Sequence, residues 1–385
     1  MKSLFALAAA ALVVGCSDRG LTNVNVASTA PSDLAVSGDL KPGLSVMTWN
    51  VYYGTDPEPL LTAPLDQVPF LAGDAWALAQ RTNFPERAGA LAALIAEQHP
   101  HLVGLQEAAL YRIQHPGDAL FGGTVPATEV VYDFLALLVD SLEARGQQYR
   151  VVAADSSTDI ELPAFIGLDP ATQSPMFDDV RLTDRDAVLA RADVQISDAR
   201  HGRFTAAIPL PDFQSAVYEG WSSARATVDG RDYRFVSAHL EFQGAVPVQV
   251  GQAQELVGLL ANETLPTILV GDFNSDVAGL DPSKATPSYG IVTGAGFADN
   301  WRVPFSTPAS LTCCQSKDLL NPSSSFTQRI DVVFTRNMPA GTLVLDQKIV
   351  GNQPGDRTVS GMWPSDHAGV AVRFLIPPVG IAAAQ

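Results

Sequence analysis

Asp272 and Asn274 stand one residue apart at the end of the apolar run Thr267-Ile268-Leu269-Val270-Gly271. At strand spacing a carboxylate and a carboxamide point to one face, and oxygen-rich groups of this kind suit a divalent cation or a phosphoryl oxygen. Asp and Asn also end strands by bonding their own backbone in a turn, so the spacing alone leaves both readings open. The pattern recurs along the chain. Asn50 closes the run from Leu44, Glu107 follows Leu102-Val103-Gly104-Leu105-Gln106, His239 closes the run from Tyr233, Asp331 opens Val332-Val333-Phe334, and Asp366-His367 precedes the run Gly369 to Phe374. A lone polar residue at a strand rim is ordinary, and a lone histidine there is more often structural than catalytic. A repeated supply of carboxylates, carboxamides and just two histidines reads as one site. Glu107 and Asp366 could share a hard cation such as Mg²⁺, which takes one or two carboxylates and keeps several waters. With six His and three Cys in the whole chain, a typical zinc site is not indicated.

Positioning such groups requires strands. Alternation predicts a strand at Leu44 to Asn50, short apolar runs predict buried strands at Leu102 to Leu105 and Thr267 to Gly271, and Tyr149 to Ala154, Arg329 to Phe334 and Gly369 to Phe374 read as further strands. Asn83, with Pro85 in the first turn and Glu86 three residues on, predicts a helix start. Ala88, Leu91, Ala92 and Ile95 form its buried stripe, and Pro100 stops it. A strand-helix-strand order implies a parallel pair. The Pro-rich, acidic stretch before Thr82 reads as a loop. Further helices are expected over Val130 to Leu142, Val248 to Ala261 and Thr286 to Thr293. Asp186 to Arg191, Asp193 to Ile196, Ser222 to Val228 and Tyr233 to His239 read as an antiparallel meander. No internal repeat or composition break divides the body, which predicts one α/β domain of mixed sheets covered by helices.

The 385 residues are 46% hydrophobic, ample for a core, and carry a net charge of −17. That charge argues against holding nucleic acid on a broad basic surface, where Lys and Arg must neutralise phosphates. Lys2, the apolar run Leu4 to Val14, and Gly15-Cys16 have the parts of a secretory signal too short to span a bilayer. Val13-Val14-Gly15-Cys16 resembles a bacterial lipobox, which implies acylation of Cys16, and Ser17 after it resembles outer-membrane sorting. The expected organisation is a signal peptide over residues 1–16, a tether over 17–42, the domain over 43–376 and a tail over 377–385. Cys313 and Cys314 could pair as a vicinal disulfide, stay as thiols or serve as packing, and packing is the expectation.

Six stretches carry a resemblance: Trp49-Asn50-Val51-Tyr52-Tyr53-Gly54, Gln106-Glu107, Ser237-Ala238-His239-Leu240, Gly271-Asp272-Phe273-Asn274, Arg329-Ile330-Asp331 and Ser365-Asp366-His367. In this order they resemble the motifs of the endonuclease/exonuclease/phosphatase superfamily, over about residues 44 to 375. The resemblance implies a deoxyribonuclease I-like four-layer α/β sandwich, two packed mixed β-sheets flanked by helices. It implies Glu107 as principal Mg²⁺ ligand, Mn²⁺ being the alternative ion, with Asn50 and Asp366 completing the metal shell. Asp272 and Asn274 would orient water or bind a phosphoryl oxygen. His367, held by Asp331, would be base or transition-state donor; His239 would assist the leaving group, with Asp184 as its acidic partner.

Two departures from nuclease members bear on substrate. Ala108-Ala109 follows Glu107 where an arginine stands in pancreatic deoxyribonuclease, and Glu219-Gly220 precedes Trp221 where a phosphate-clamping arginine is usual. Arg185, Arg191 and Arg329 remain as candidate clamps. The expectation is an extracytoplasmic, membrane-anchored, monomeric, metal-dependent phosphoester hydrolase. Its substrate would be a nucleic acid, a phospholipid head group or a small organic phosphate. The alternative is an inactive binding or scaffold protein of the same fold.

Overall fold

Alternation along Leu44–Asn50 splits its side chains between two cores. Leu44 and Val46 enter one, Met47 and Trp49 another, and all seven residues are buried. In this computed structural model, which describes residues 43–210, 215–278, 282–301 and 310–377, that division organises the compact unit Lys41–Gln385. The expected signal peptide, Cys16 and the expected tether lie outside the described residues, as does the expected tail from residue 378 on. No described helix is long and apolar enough to cross a membrane.

Two six-stranded sheets pack face to face. The first runs Leu343–Val350, Gly369–Leu375, Leu44–Asn50, Leu102–Gln106, Ala187–Arg191, Tyr149–Ala154; the second runs Ala298–Asp299, Asp331–Arg336, Thr267–Asp272, Arg231–His239, Gly220–Val228, Gln195–Arg203. Between them lie Val46, Leu102, Val188, Phe235, Ile268, Val270 and Val372. Helices Phe84–Gln98 and Phe134–Glu143 cover the outer face of the first sheet, and Val246–Leu259 and Ser288–Gly294 that of the second. This is the four-layer α/β sandwich.

The strand-helix-strand unit does form a parallel pair, Leu44–Asn50 with Leu102–Gln106, and register places Asn50 beside Gln106. The meander is corrected. Ala187–Arg191 pairs with Tyr149–Ala154 and Leu102–Gln106 in the first sheet, whereas Gln195–Arg203, Gly220–Val228 and Arg231–His239 pair in the second. Period-two patterning marks a strand but cannot say which sheet receives it. The stretch before Thr82 is likewise no plain loop: it contains helices Glu58–Leu61 and Val68–Arg81. Pro69 sits in the first turn, where its missing N–H costs nothing, and Val68, Ala72, Trp76 and Ala79 make the buried stripe. The expected helix from Val130 starts later. Glu129–Asp133 is a strand, and Asp133 caps the following helix by accepting from the Ala136 N–H at 3.3 Å. That strand joins Leu110–Gln114, Asp159–Leu168 and Pro175–Thr183 in a separate four-stranded sheet.

Close approach of the two main sheets depends on Gly104. A Cβ there would lie 2.5 Å from Val270 Cγ2 and 2.9 Å from Ser237 Oγ on the facing sheet. Gly104→Ala is therefore expected to destabilise the chain by about 1–3 kcal/mol. Adding Val270→Ala should recover part of the loss, so that the double variant is more stable than the sum of the singles predicts. Denaturant unfolding of the four proteins measures this; strict additivity would contradict it.

Candidate active site

The same parity that fills the intersheet core delivers the polar residues at its end. Asn50 shares a strand face with Leu44 and Val46, Asp272 with Ile268 and Val270, His239 with Tyr233 and Phe235, and Asp331 with Val333, all residues of the intersheet core. Register aligns three of them on adjacent strands, His239 beside Asp272 and Asp272 beside Asp331. At one edge of the sandwich the hydrocarbon between the sheets thus gives way to ionisable groups.

Asp272 occupies the middle. Its Oδ2 lies 3.6 Å from His239 Nε2 and 3.7 Å from His367 Nδ1, and accepts from Asn50 Nδ2 at 3.2 Å. His367 Nδ1 lies 3.0 Å from Asp331 Oδ2, the pairing expected from the sequence. Burial opposes a charged imidazole there, but Asp331, Asp366 and Asp272 outweigh it and hold His367 well above its usual value. His239 is raised in the same way, against burial, first by Glu219.

Glu219 Oε2 lies 3.1 Å from His239 Nδ1, so the direct partner of this histidine is Glu219. The expected partner, Asp184, lies in the same cluster but accepts from Ser157 Oγ at 2.9 Å. Gly220 leaves room for this cluster, because a Cβ there would overlap Asp155 Oδ2. Asp155, Asp184, Asp186 and Glu219 pack together, and neither oxygen of the fully buried Asp186 has a hydrogen-bond partner. Burial raises all four, and repulsion from neighbouring carboxylates adds to it at Asp155, Asp186 and Glu219.

Asn274 departs from strand spacing. The strand stops at Asp272, and Asn274 takes a left-handed backbone (φ 46°) with its N–H donating to Asp272 Oδ1 at 2.9 Å, an Asx turn. Its side-chain Nδ2 still reaches the site, 3.3 Å from His239 Nε2. Tyr52 and Glu107 are also left-handed, so three strand exits into the site carry backbone strain.

Glu107 Oε1 accepts from Asn50 Nδ2 at 2.7 Å and Oε2 from the Tyr53 N–H at 2.9 Å. Asn50 Oδ1 is engaged by the Tyr52 N–H, so Asn50 bridges the carboxylates of Glu107 and Asp272 through nitrogen rather than turning its oxygen beside Glu107. Arg87, fully buried and unforeseen in the sequence, fastens the surrounding loops by donating to the carbonyls of Val51, Tyr52, Thr82 and Pro364. Burial, and then the charge of Asp366, pushes Glu107 up to about 7. This pair of oxygen donors short of positive charge fits a hard divalent cation. Two carboxylate and imidazole triplets lie beside it, Asp272-Asp331-His367 and Asp184-Glu219-His239, with ligand atoms within 4.8 Å of one another.

None of the candidate clamps faces this site. Arg185 binds the carbonyls of Ala108 and Ala109 and the Asp133 carboxylate, Arg191 binds Asp193, and Arg329 binds Asp299 with both terminal nitrogens. Cys313 and Cys314, expected as packing, are joined as a vicinal disulfide, and Cys313 bridges His367 in antiparallel fashion.

The model of the Endonuclease/Exonuclease/phosphatase family matches residues 47–367. The chain belongs to that family. Members of the Endonuclease/Exonuclease/phosphatase family are hydrolases of the phosphatase and nuclease type, generally dependent on divalent metal. Similar solved structures include the endonuclease/exonuclease/phosphatase family protein of Leptotrichia buccalis C-1013-b (15% identity, 86% of this chain and 99% of that one, TM-score 0.48). Another is the mannosyl-6-phosphatase of Bacteroides thetaiotaomicron VPI-5482 (16%, 86% and 100%, 0.47). A third is D. rerio TDP2 complexed with single-strand DNA product (17%, 86% and 98%, 0.46). No curated protein matches the sequence.

The buried acids make stability depend on pH. Burial foremost pushes Glu107 and Glu241 up to about 7, while His239 and His367 are held high by carboxylates. Each group therefore binds a proton in the folded chain that the unfolded chain releases at lower pH, the acids near ~4 and the histidines near ~6.5. Folding stability then falls as pH rises through this window. In EDTA the chain is expected to melt at lower temperature at pH 8 than at pH 5, and Asp155→Asn should flatten the slope. Scanning calorimetry decides; a melting temperature that climbs with pH would contradict this charge balance.

Proposed function

We propose that this chain is an extracytoplasmic, divalent-metal-dependent phosphoester hydrolase that directs water in line at phosphorus. The observation that carries the reading is the pairing of Asp331 with His367 beside Asp272, with His239 and its Glu219 on the other side of the same carboxylate. Two imidazoles held positive by buried acids, at opposite sides of one carboxylate, match the needs of a reaction that builds negative charge on phosphoryl and leaving oxygens.

With Nδ1 engaged by Asp331, His367 has Nε2 left for substrate, where a charged ring donates to a phosphoryl oxygen; its raised pKa favours this donor role over that of base. Asp272 orients the attacking water and takes its proton. Asn274 Nδ2 steadies the same oxygens. His239, charged through Glu219, gives its Nε2 proton to the leaving oxygen. Asp184 supports that charge from behind. Glu107 and Asp366 would hold the cation, Mg²⁺ or Mn²⁺, with Asn50 fixing Glu107. When bound, the cation supplies Lewis-acid stabilisation of charge on the phosphoryl group.

A lipid anchor at Cys16 would tether a monomeric enzyme to a membrane, a placement supported by Lys2, the apolar run to Val14 and Gly15-Cys16. The inactive-scaffold alternative requires loss of a catalytic group, yet Glu107, Asp272, Asn274, Asp366 and His367 are all present.

Hydrolysis of bis(p-nitrophenyl) phosphate and p-nitrophenyl phosphate with Mg²⁺, Mn²⁺ or EDTA tests the reading. Turnover is expected to need metal and to drop by about 10³-fold or more in His367→Ala and in Glu107→Ala. Equal rates in wild type and both variants would return the scaffold alternative.

A further inference from the structure

The phosphoryl-facing groups line a cavity of about 440 Å³ whose other wall has no part in the chemistry just described. Val68 and Trp76 enter it from helix Val68–Arg81, and Tyr111, Ile160, Leu162 and Leu182 from the separate four-stranded sheet. Register sets Ile160 opposite Leu182 and Leu162 opposite Val180, so one face of that sheet presents an apolar strip to the cavity. Ile160, Leu162, Val180 and Leu182 are half-buried, covered by the fold on one side and open to the cavity on the other.

Charge narrows what can enter. Asp56, Glu58, Asp184, Glu219 and Glu241 also line the cavity. Among the described residues lining it Lys317 is its one Lys or Arg, and that ammonium is bound to Asp56. A single-stranded nucleic acid needs a positive groove along its backbone, and a polyphosphate needs several cations; this wall offers hydrocarbon and carboxylates. A cavity of this size encloses most of a drug-sized organic group.

We propose that the cavity binds the organic group of the phosphoester, and that this group is a neutral hydrocarbon, alkyl or aryl, in place of a nucleoside or a second phosphate. The inference rests on the phosphoester hydrolase reading and adds its substrate class. Removing each methylene of such a group from water should raise kcat/KM by about fourfold until the cavity is filled.

The test uses the full chain with Mg²⁺ and p-nitrophenyl phosphodiesters whose second ester is methyl, butyl, octyl or thymidine 5′. The octyl ester is expected to exceed the methyl ester by about 100-fold or more, and the thymidine ester to do no better than methyl. Leu162→Ser and Ile160→Ser should bring octyl toward methyl. Calorimetry with octylphosphonate and methylphosphonate reads the cavity without turnover and should show tighter binding of the octyl compound, lost in the same variants. If no ester is hydrolysed, the hydrolase reading fails and the phosphonate comparison alone decides the cavity. Rates independent of chain length, preference for the thymidine ester, or equal phosphonate affinities would overturn the proposal. A further arm distinguishes sources: turnover of phosphatidylcholine vesicles would assign the hydrocarbon to a bilayer lipid, and turnover of the octyl ester alone to a dispersed ester.

Discussion

Buried charge must be answered by charge, and at one edge of this sandwich five ionisable groups answer one another in a chain. Glu219 faces His239, His239 faces Asp272, Asp272 faces His367 and His367 faces Asp331. Each is nearly inaccessible to water, so an unpaired member would be costly and a missing one would leave its neighbours uncompensated. The alternation of sign is what allows so polar an assembly to end an interface otherwise made of Val, Ile, Leu and Phe. It also means that the two histidines do not act as separable parts, since both are charged against the same central carboxylate.

The intersheet core supports that chain in a literal sense. Gly104 lets Val270 and Ser237 approach the first sheet, Gln106 Nε2 donates to Ser237 Oγ at 2.8 Å, and one residue beyond Gln106 the backbone turns left-handed to deliver Glu107. Close packing below sets the spacing of carboxylates above. A loosened core would be felt first as misaligned oxygens, because a displacement that hydrocarbon tolerates is large for a hydrogen bond.

What the sequence disclosed follows from the same geometry. Asn50, His239, Asp272 and Asp331 sit at the ends of runs that read as strands, so their place at a sheet rim could be read directly, as could helix Phe84–Gln98 from its stripe and start signal. The elements that wall the cavity gave no such contrast. Helix Val68–Arg81 follows a run of prolines and acids, and Asp159–Leu168 and Pro175–Thr183 alternate half-buried apolar residues with charged ones on a sheet that belongs to neither main layer. Strand Leu343–Val350 was missed for a similar reason: it is a partly exposed edge strand carrying Asp346, Gln347 and Lys348. Glu219 was legible only as a missing arginine. Its partnership with His239 crosses two strands, and no local pattern encodes it.

The first described strand and the last are neighbours. Leu44–Asn50 pairs antiparallel with Gly369–Leu375, Trp49 Nε1 donates to the His367 carbonyl at 3.0 Å, and Ser365 Oγ donates to the Asn50 carbonyl at 2.7 Å. These are contacts of very high sequence separation, the kind that closes late because the loop entropy must be met before they form. A chain that ends before Ser365 holds Asn50, Glu107, His239 and Asp272 but lacks Asp366, His367 and the strand that pairs with Leu44–Asn50. The cluster is therefore completed only when Gly369–Leu375 docks beside Leu44–Asn50, which ties the assembly of the site to the pairing of two strands far apart in the sequence.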